Sequence, residues 1–311
     1  MTALTQRIRD AALAAGADLV GFANIERFDK APPAQHPRTI FPQARTAIAM
    51  AVRQGRGTLK AVEEGCYWQA YNCDSYWYLN EVHAPKMIRE VVLALEAEGY
   101  TSVPVHNPFR AHVGRQIRQD TPGGLDGVIS LRVIGAAAGL GEIGRAKIFL
   151  TPQFGPRQRM FGLLTDAELD PTPLLKERIC DDCMACVREC EACAIGDGER
   201  TERVEIEDRV FSHAPFDAHQ CAVVHSGSDP RYSPFWTGQE KDGGKPSYYQ
   251  FLDRRFRHRG ICVGRGCIRA CLDHLEKTDR IEAKFKTPLI EHERWKLNKA
   301  PPRSDEGKGR Q

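Results

Sequence analysis

Apolar residues recur at Leu4, Ile8, Ala11, Ala12 and Ala15. That is helical spacing, so Leu4 to Ala15 is predicted to be an amphipathic helix, stopped by Gly16. Asp18 to Ala23 (DLVGFA) reads as a strand, and Thr46 to Val52 (TAIAMAV) as a second, fully buried one. Tyr78 to Glu98 carries a long helical pattern ending at Gly99; Pro85 belongs in a first turn, which moves the expected start to near Ala84. Thr101 to Val105 is a short strand, and Ile129 to Ala138 a helix of small residues that runs into the turn GLGEIGR. Ile148 to Thr151 and Met160 to Thr165 read as a strand pair joined by PQFGPRQR. Helices alternating with short apolar strands predict an α/β layer structure.

The pattern breaks after Asp170. From Pro171 to about Arg280 the chain is irregular, is rich in glycine and proline between Gly227 and Pro246, and holds nine of the 11 cysteines. Two parts and a tail are therefore expected: 1–170 as the α/β part, 171–285 as a cysteine-bearing module, and 286–311 as a polar tail, with Ala300 to Gln311 (APPRSDEGKGRQ) disordered.

Composition narrows the function classes. A chain of 311 residues that is 41% hydrophobic and 27% charged is an ordinary globular protein with room for a substantial core. No apolar run is long enough to span a membrane, so no membrane partner is expected. A net charge of +3 is too small to imply nucleic acid. The start, MTALTQRIRDAALAAGA, is amphipathic and charged rather than signal-like, so a cytoplasmic location and reduced cysteines are expected.

Cys180, Cys183, Cys186 and Cys190 read C-x-x-C-x-x-C-x-x-x-C. In that run a tight loop directs three thiolates at one iron–sulfur cluster, while the fourth serves another. Structural zinc prefers two ligand pairs separated by a longer connection, which this spacing fits poorly. Two four-iron clusters need about eight thiolates, and Cys221, Cys262, Cys267 and Cys271 follow downstream. Exchange between the runs assigns Cys180, Cys183, Cys186 and Cys271 to one [4Fe-4S] cluster. Cys190, Cys221, Cys262 and Cys267 then hold the second. Cys66, Cys73 and Cys193 are left over and read as small buried hydrophobes. Glu191 and Leu272 stand where ferredoxin runs place proline, and four residues rather than two separate Cys262 from Cys267.

In GLGEIG, Gly139, Gly141 and Gly144 let the backbone approach a bulky ligand or a neighbouring strand. The turn follows a helix, so it is not a dinucleotide fingerprint. Glu142 is placed to cap, or to pair with Arg145 at i+3.

The segment AAGLGEIGRAKIFLTPQFGPRQRMFGLLTD, Ala137 to Asp166, followed closely by the cysteine run, resembles the reductive dehalogenases. The related epoxyqueuosine reductases carry a similar segment. The resemblance extends over roughly Tyr76 to Asp273. It implies a nitroreductase-like α/β half cradling a base-off corrinoid (cobalamin), and a ferredoxin-like module with two [4Fe-4S] clusters. It also implies a small-molecule substrate and a low-potential electron donor, ferredoxin or flavodoxin. The cofactor-binding residues it points to are Gly139, Gly141, Glu142, Gly144 and Asn107. A tyrosine acts as proton donor in the dehalogenases beside a basic residue; here Tyr76 is the first choice, with Tyr71 and Tyr78 as alternatives, and Arg145 stands where the family carries an arginine, as a partner for substrate or cofactor. Packing explains the same tyrosines, and a surface salt bridge the same arginine. Epoxyqueuosine reductases place an acidic residue before their glycine turn, and only Asp126 stands near that position, so transfer RNA is a less favoured partner than a small molecule. A non-enzymatic two-cluster electron carrier is the remaining alternative. His83, His106 and His112 flank the expected pocket without forming a ligand pattern.

Overall fold

The computed structural model describes residues 1–32, 35–65, 67, 69–105, 129–225, 240–241, 245–246 and 266–291. Cys66, His106, Asn107, His112, Asp126, Cys262 and the tail beyond 291 lie outside the described residues.

The first half is built on an antiparallel sheet of four strands: β1 (Leu19–Asn24), β2 (Thr46–Arg53), β3 (Ser102–Val105) and β6 (Gln158–Thr165), in the order β1-β2-β6-β3. Alternation in β2 sorts its side chains between two layers. Ile48, Met50 and Val52 enter the core under α1 (Ala3–Ala14) and α5 (Ala84–Ala97), with Ile8, Met87, Val91 and Leu95. Ala47 and Ala49 face the opposite core, with Ile134, Ala136 and Ala137 of α6 (Leu131–Ala137). Alanine there lets α6 lie close to the strands. Gly21 of β1 serves the same approach, since a Cβ on it would sit 2.2 Å from the Ala138 carbonyl oxygen. The sheet is thus sandwiched between helices because large and small apolar residues alternate along its central strand.

Short helices α2 (Pro37–Ile40), α3 (Arg56–Glu63) and α4 (Gln69–Tyr71) lead into Asn72–His83, which winds as a π-helix and runs straight into α5. Pro85 occupies the first turn of α5, as its missing N–H requires. The wide winding before it was not legible in the sequence. One pairing differs from expectation. β5 (Phe149–Leu150) pairs with β4 (Glu142–Ile143), while β6 joins β2 and β3. PQFGPRQR therefore connects two different sheets, and the short run at 148–151 serves the glycine turn.

The cysteine-bearing half contains α7 (Ala185–Arg188), a hairpin of β7 (Glu202–Ile206) and β8 (Arg209–His213), α8 (Ala218–His225) and α9 (Cys267–Lys277). Ion pairs bind it to the first half. Arg27 reaches Glu207 in the hairpin turn at 3.0 Å and also donates to the Thr172 carbonyl. α9 runs antiparallel to α3: Arg56 meets Glu276 at 2.7 Å, and Glu63 meets Arg269 at 2.7 Å with both side chains at 0% exposure. No helix among the described residues is long and apolar enough to cross a membrane.

Candidate metal centres and a tyrosine–histidine pair

The approach to the first cysteine is fixed by Glu142. Its carboxylate is buried and accepts the Ile179 N–H at 2.9 Å and the neighbouring Cys180 N–H. Burial raises this carboxyl above its ordinary range, against the opposing effect of those two hydrogen bonds. Glu142 thus anchors the cysteine loop; the i+3 pairing expected with Arg145 is replaced by these backbone contacts. Asp182 and Met184 take left-handed backbone conformations, φ 58° and 61°. Such kinks curl the loop around its own centre. Arg188 donates to the Cys183 carbonyl at 2.9 Å, and Arg280 to the Ile179 carbonyl at 2.8 Å, holding the curl from outside.

Cys180, Cys183 and Cys186 from this loop and Cys271 from α9 line one small cavity with Gly144, Ile148, Leu150 and Leu275. Burial pushes the Cys186 thiol up to about 12, and the neighbouring Cys180 and Cys183 add to the effect. Cys271 is pushed well above its ordinary value by burial first and then by the same three thiols, and burial raises Cys180. Four thiolates in an apolar pocket repel one another and lack solvation, so ionising them together requires positive charge between them. A bound metal centre supplies it. The Arg145 N–H, 3.5 Å from Cys180 Sγ, adds a donor of the kind that stabilises thiolate sulfur. Chemically, the donor set fits an iron–sulfur cluster. Asp181, Cys183 and His274 also group closely enough to hold an ion, but Asp181 and His274 already hydrogen-bond each other at 2.8 Å on the cavity rim.

Cys190, Cys221 and Cys267 pack into one neighbouring apolar group beside Cys186. Gly266 makes this approach feasible, since a Cβ on it would meet the Glu189 carbonyl oxygen at 2.1 Å. The Ala194 N–H points at Cys190 Sγ at 3.4 Å. Cys193 does not follow its expected burial. A turn closed by its N–H to the Cys190 carbonyl holds it at φ 46° with its side chain exposed.

The glycines of GLGEIG are occupied by the chain itself. A Cβ on Gly139 would sit 2.2 Å from the Pro173 carbonyl oxygen, and one on Gly141 would sit 1.9 Å from the Leu150 carbonyl oxygen. Gly144 faces Leu150 and the Cys180 Cβ. Of the two uses expected for this turn, packing against neighbouring chain is the one observed. Arg145 lines the four-cysteine cavity and donates through Nη2 to the Gly198 carbonyl at 2.7 Å.

The three tyrosines separate clearly. Tyr71 is buried and meets Tyr76 edge-on, and both join the apolar cluster that includes Cys180 and Cys271. Tyr78 is 47% exposed and leans towards His83, which is tied to the Gly16 carbonyl. Tyr76, half-buried inside the π-helix, has chemical neighbours. Its hydroxyl lies 3.0 Å from His225 Nε2, and the Arg159 guanidinium lies 4.5 Å from its ring centroid. Asn80 accepts from Arg159 Nε at 3.2 Å, while Arg159 Nη2 is buried without a partner. Sequence reading missed His225 and Arg159. The one available signal was spacing: His225 follows Cys221 by four residues, one turn along α8.

No family model matches the chain. A tetrachloroethene reductive dehalogenase of Desulfitobacterium hafniense is 36% identical over 93 residues, covering 27% of this chain and 17% of that protein. The match thus spans less than a fifth of the curated relative's length. A solved reductive dehalogenase, described in terms of B12-dependent dehalogenation, aligns with a TM-score of 0.53 and 17% identity over 96% of this chain and 41% of that one. An epoxyqueuosine reductase of Bacillus subtilis aligns with a TM-score of 0.47 and 12% identity over 89% of this chain and 83% of that one. Over the matched segment the chain is similar in sequence to a reductive dehalogenase, and it shares the solved dehalogenase's mixed α/β fold.

Proposed function

We propose that this protein is a corrinoid- and iron–sulfur-dependent oxidoreductase that cleaves a carbon–halogen or similar bond of a small molecule reductively. The observation that carries the reading is the convergence of Cys180, Cys183, Cys186 and Cys271, from two distant stretches of chain, on one apolar cavity. In this reading those four hold one [4Fe-4S] cluster. Cys190, Cys221 and Cys267, with Cys262, hold a second. Electrons enter from a low-potential ferredoxin or flavodoxin. Residues 1–170, in a nitroreductase-like arrangement, hold substrate and base-off corrinoid, and 171–285 form the ferredoxin-like module. A bound corrinoid supplies the low-valent cobalt for bond breaking.

The chain's own residues supply the rest. Tyr76 stands as proton donor, and Arg159 over its ring stabilises the phenolate left behind. The Cys180 and Cys271 thiols share an apolar cluster with Tyr71 and Tyr76, so the electron and proton sources lie on one packed surface. Exclusion of water by that cluster keeps the charges effective.

The test is elemental. Protein purified without oxygen and reconstituted with cobalamin is expected to contain about eight irons, about eight sulfides and one cobalt per chain. The same iron without cobalt would make it an electron carrier, and zinc in place of iron would overturn the reading.

A further inference from the structure

Resting on the reading above, we infer that His225 is a positioning and proton-relay residue for Tyr76, carried into place by the same helix that bears Cys221. The geometry is specific. His225 Nε2 lies 3.0 Å from the Tyr76 hydroxyl, and the two rings meet edge-on with centroids 5.9 Å apart. Tyr71 supports the other side of Tyr76, with centroids 5.6 Å apart. His225 closes α8 and Cys221 lies one turn before it. The partner of the proton donor therefore comes from the cysteine-bearing half, although the donor belongs to the first half.

The charged and titratable groups around the pair define what it can do. From β6, Arg159 covers the Tyr76 ring and presents a buried Nη2 without a partner. From the π-helix, Asp74 is driven up by burial, while Arg159 opposes the rise. The cation favours phenolate and the imidazole can return a proton, so Tyr76 is held ready both to lose and to regain its hydrogen. Reduction of R–X takes two electrons and one proton, giving R–H and X⁻. The electrons come from the low-potential donor. The proton passes from the Tyr76 hydroxyl to the substrate carbon, protonated His225 hands its Nε2 proton to the phenolate, and a proton taken up from solvent restores the imidazolium. One proton is consumed per turnover, and both side chains return to their starting state. Because α8 also carries Cys221, any shift of this helix on reduction of the second centre moves the relay with it.

The experiment uses the loaded protein and two substitutions. His225→Gln keeps an amide oxygen for the hydroxyl but has no N–H acidic enough to hand over, and His225→Ala leaves a hole that free imidazole can enter. Iron and cobalt content should match wild type in both. If wild type itself lacks the metals, the reading of the site fails rather than the relay. With titanium(III) citrate as reductant and a bromophenol as probe, both variants should slow by about 10²-fold, the scale of a positioned proton transfer. Imidazole should restore His225→Ala and leave Tyr76→Phe slow. A wild-type rate in His225→Gln overturns the relay.

A second measurement decides the question without turnover. Ultraviolet resonance Raman difference spectra against Tyr76→Phe isolate the Tyr76 bands. In wild type they should carry the signature of a phenol hydrogen-bonded to imidazole, and in His225→Gln that signature should change. Tyr76 bands identical in wild type and His225→Gln overturn the coupling, whether or not the probe reacts.

Discussion

Neutralising Glu63 tests how the cysteine-bearing half is held. Glu63 on α3 and Arg269 on α9 are paired at 2.7 Å and both are fully buried. Glu63→Gln keeps the side-chain volume and an acceptor but removes the carboxylate charge that faces Arg269. Breaking one side of a buried ion pair costs about 3–5 kcal/mol. At about 1.4 kcal/mol per factor of ten, an open α3–α9 contact becomes roughly 10²- to 10⁴-fold more populated. The Arg56–Glu276 pair, two turns along the same contact, remains and should prevent complete loss of the fold. α9 carries Cys267 and Cys271, so each opening exposes a thiol from both proposed centres. Two assays follow: the urea midpoint of the anaerobic protein, expected to fall by roughly 1–2 M, and the rate at which a chelator removes iron, expected to rise. A compensating double variant, Glu63→Met with Arg269→Met, removes both charges and should recover most of the loss, because apolar replacement of a buried pair is often neutral. If Glu63→Gln held its iron and its midpoint as well as wild type, the ion pair would not be what fastens α9.

Cys271→Ser should lower iron from about eight to about four per chain, since only one proposed centre loses a ligand; iron analysis checks it. Gly141→Ala, whose new methyl would sit 1.9 Å from the Leu150 carbonyl oxygen, should destabilise by about 1–3 kcal/mol, read as a lower Tm. Glu142 links stability to pH. Burial raises its carboxyl above the ordinary 4.5, so the folded state binds the proton more tightly than the unfolded. The group's contribution is full below 4.5 and is lost as pH rises through the raised value. Glu142→Gln should flatten that limb of a plot of Tm against pH.

Much of this arrangement was legible in the sequence for identifiable reasons. Short apolar runs and helical spacing located β1, β2, α1 and α5 within a residue or two, because the strands are largely buried and the helices each bury an apolar face. Pro85 and Gly99 bounded α5 through backbone chemistry alone. The cysteine spacing raised the grouping of Cys180, Cys183 and Cys186 with Cys271, and the four line one cavity. What escaped depends on contacts distant in sequence. β5 is too short to carry a pattern, so its partner is chosen by the glycine turn. The Glu142 side chain anchors residues far along the chain, where i+3 logic has no reach. Local propensity does not mark the π winding of Asn72–His83. His225 looked ordinary because its partner, Tyr76, lies in the other half.

Electron paramagnetic resonance of the anaerobic, dithionite-reduced protein tests the central claim most directly. Two reduced [4Fe-4S] centres predict coupled signals integrating to about two spins per chain, falling to about one in Cys271→Ser. A colourless protein that binds zinc and gives no signal after reduction would contradict it.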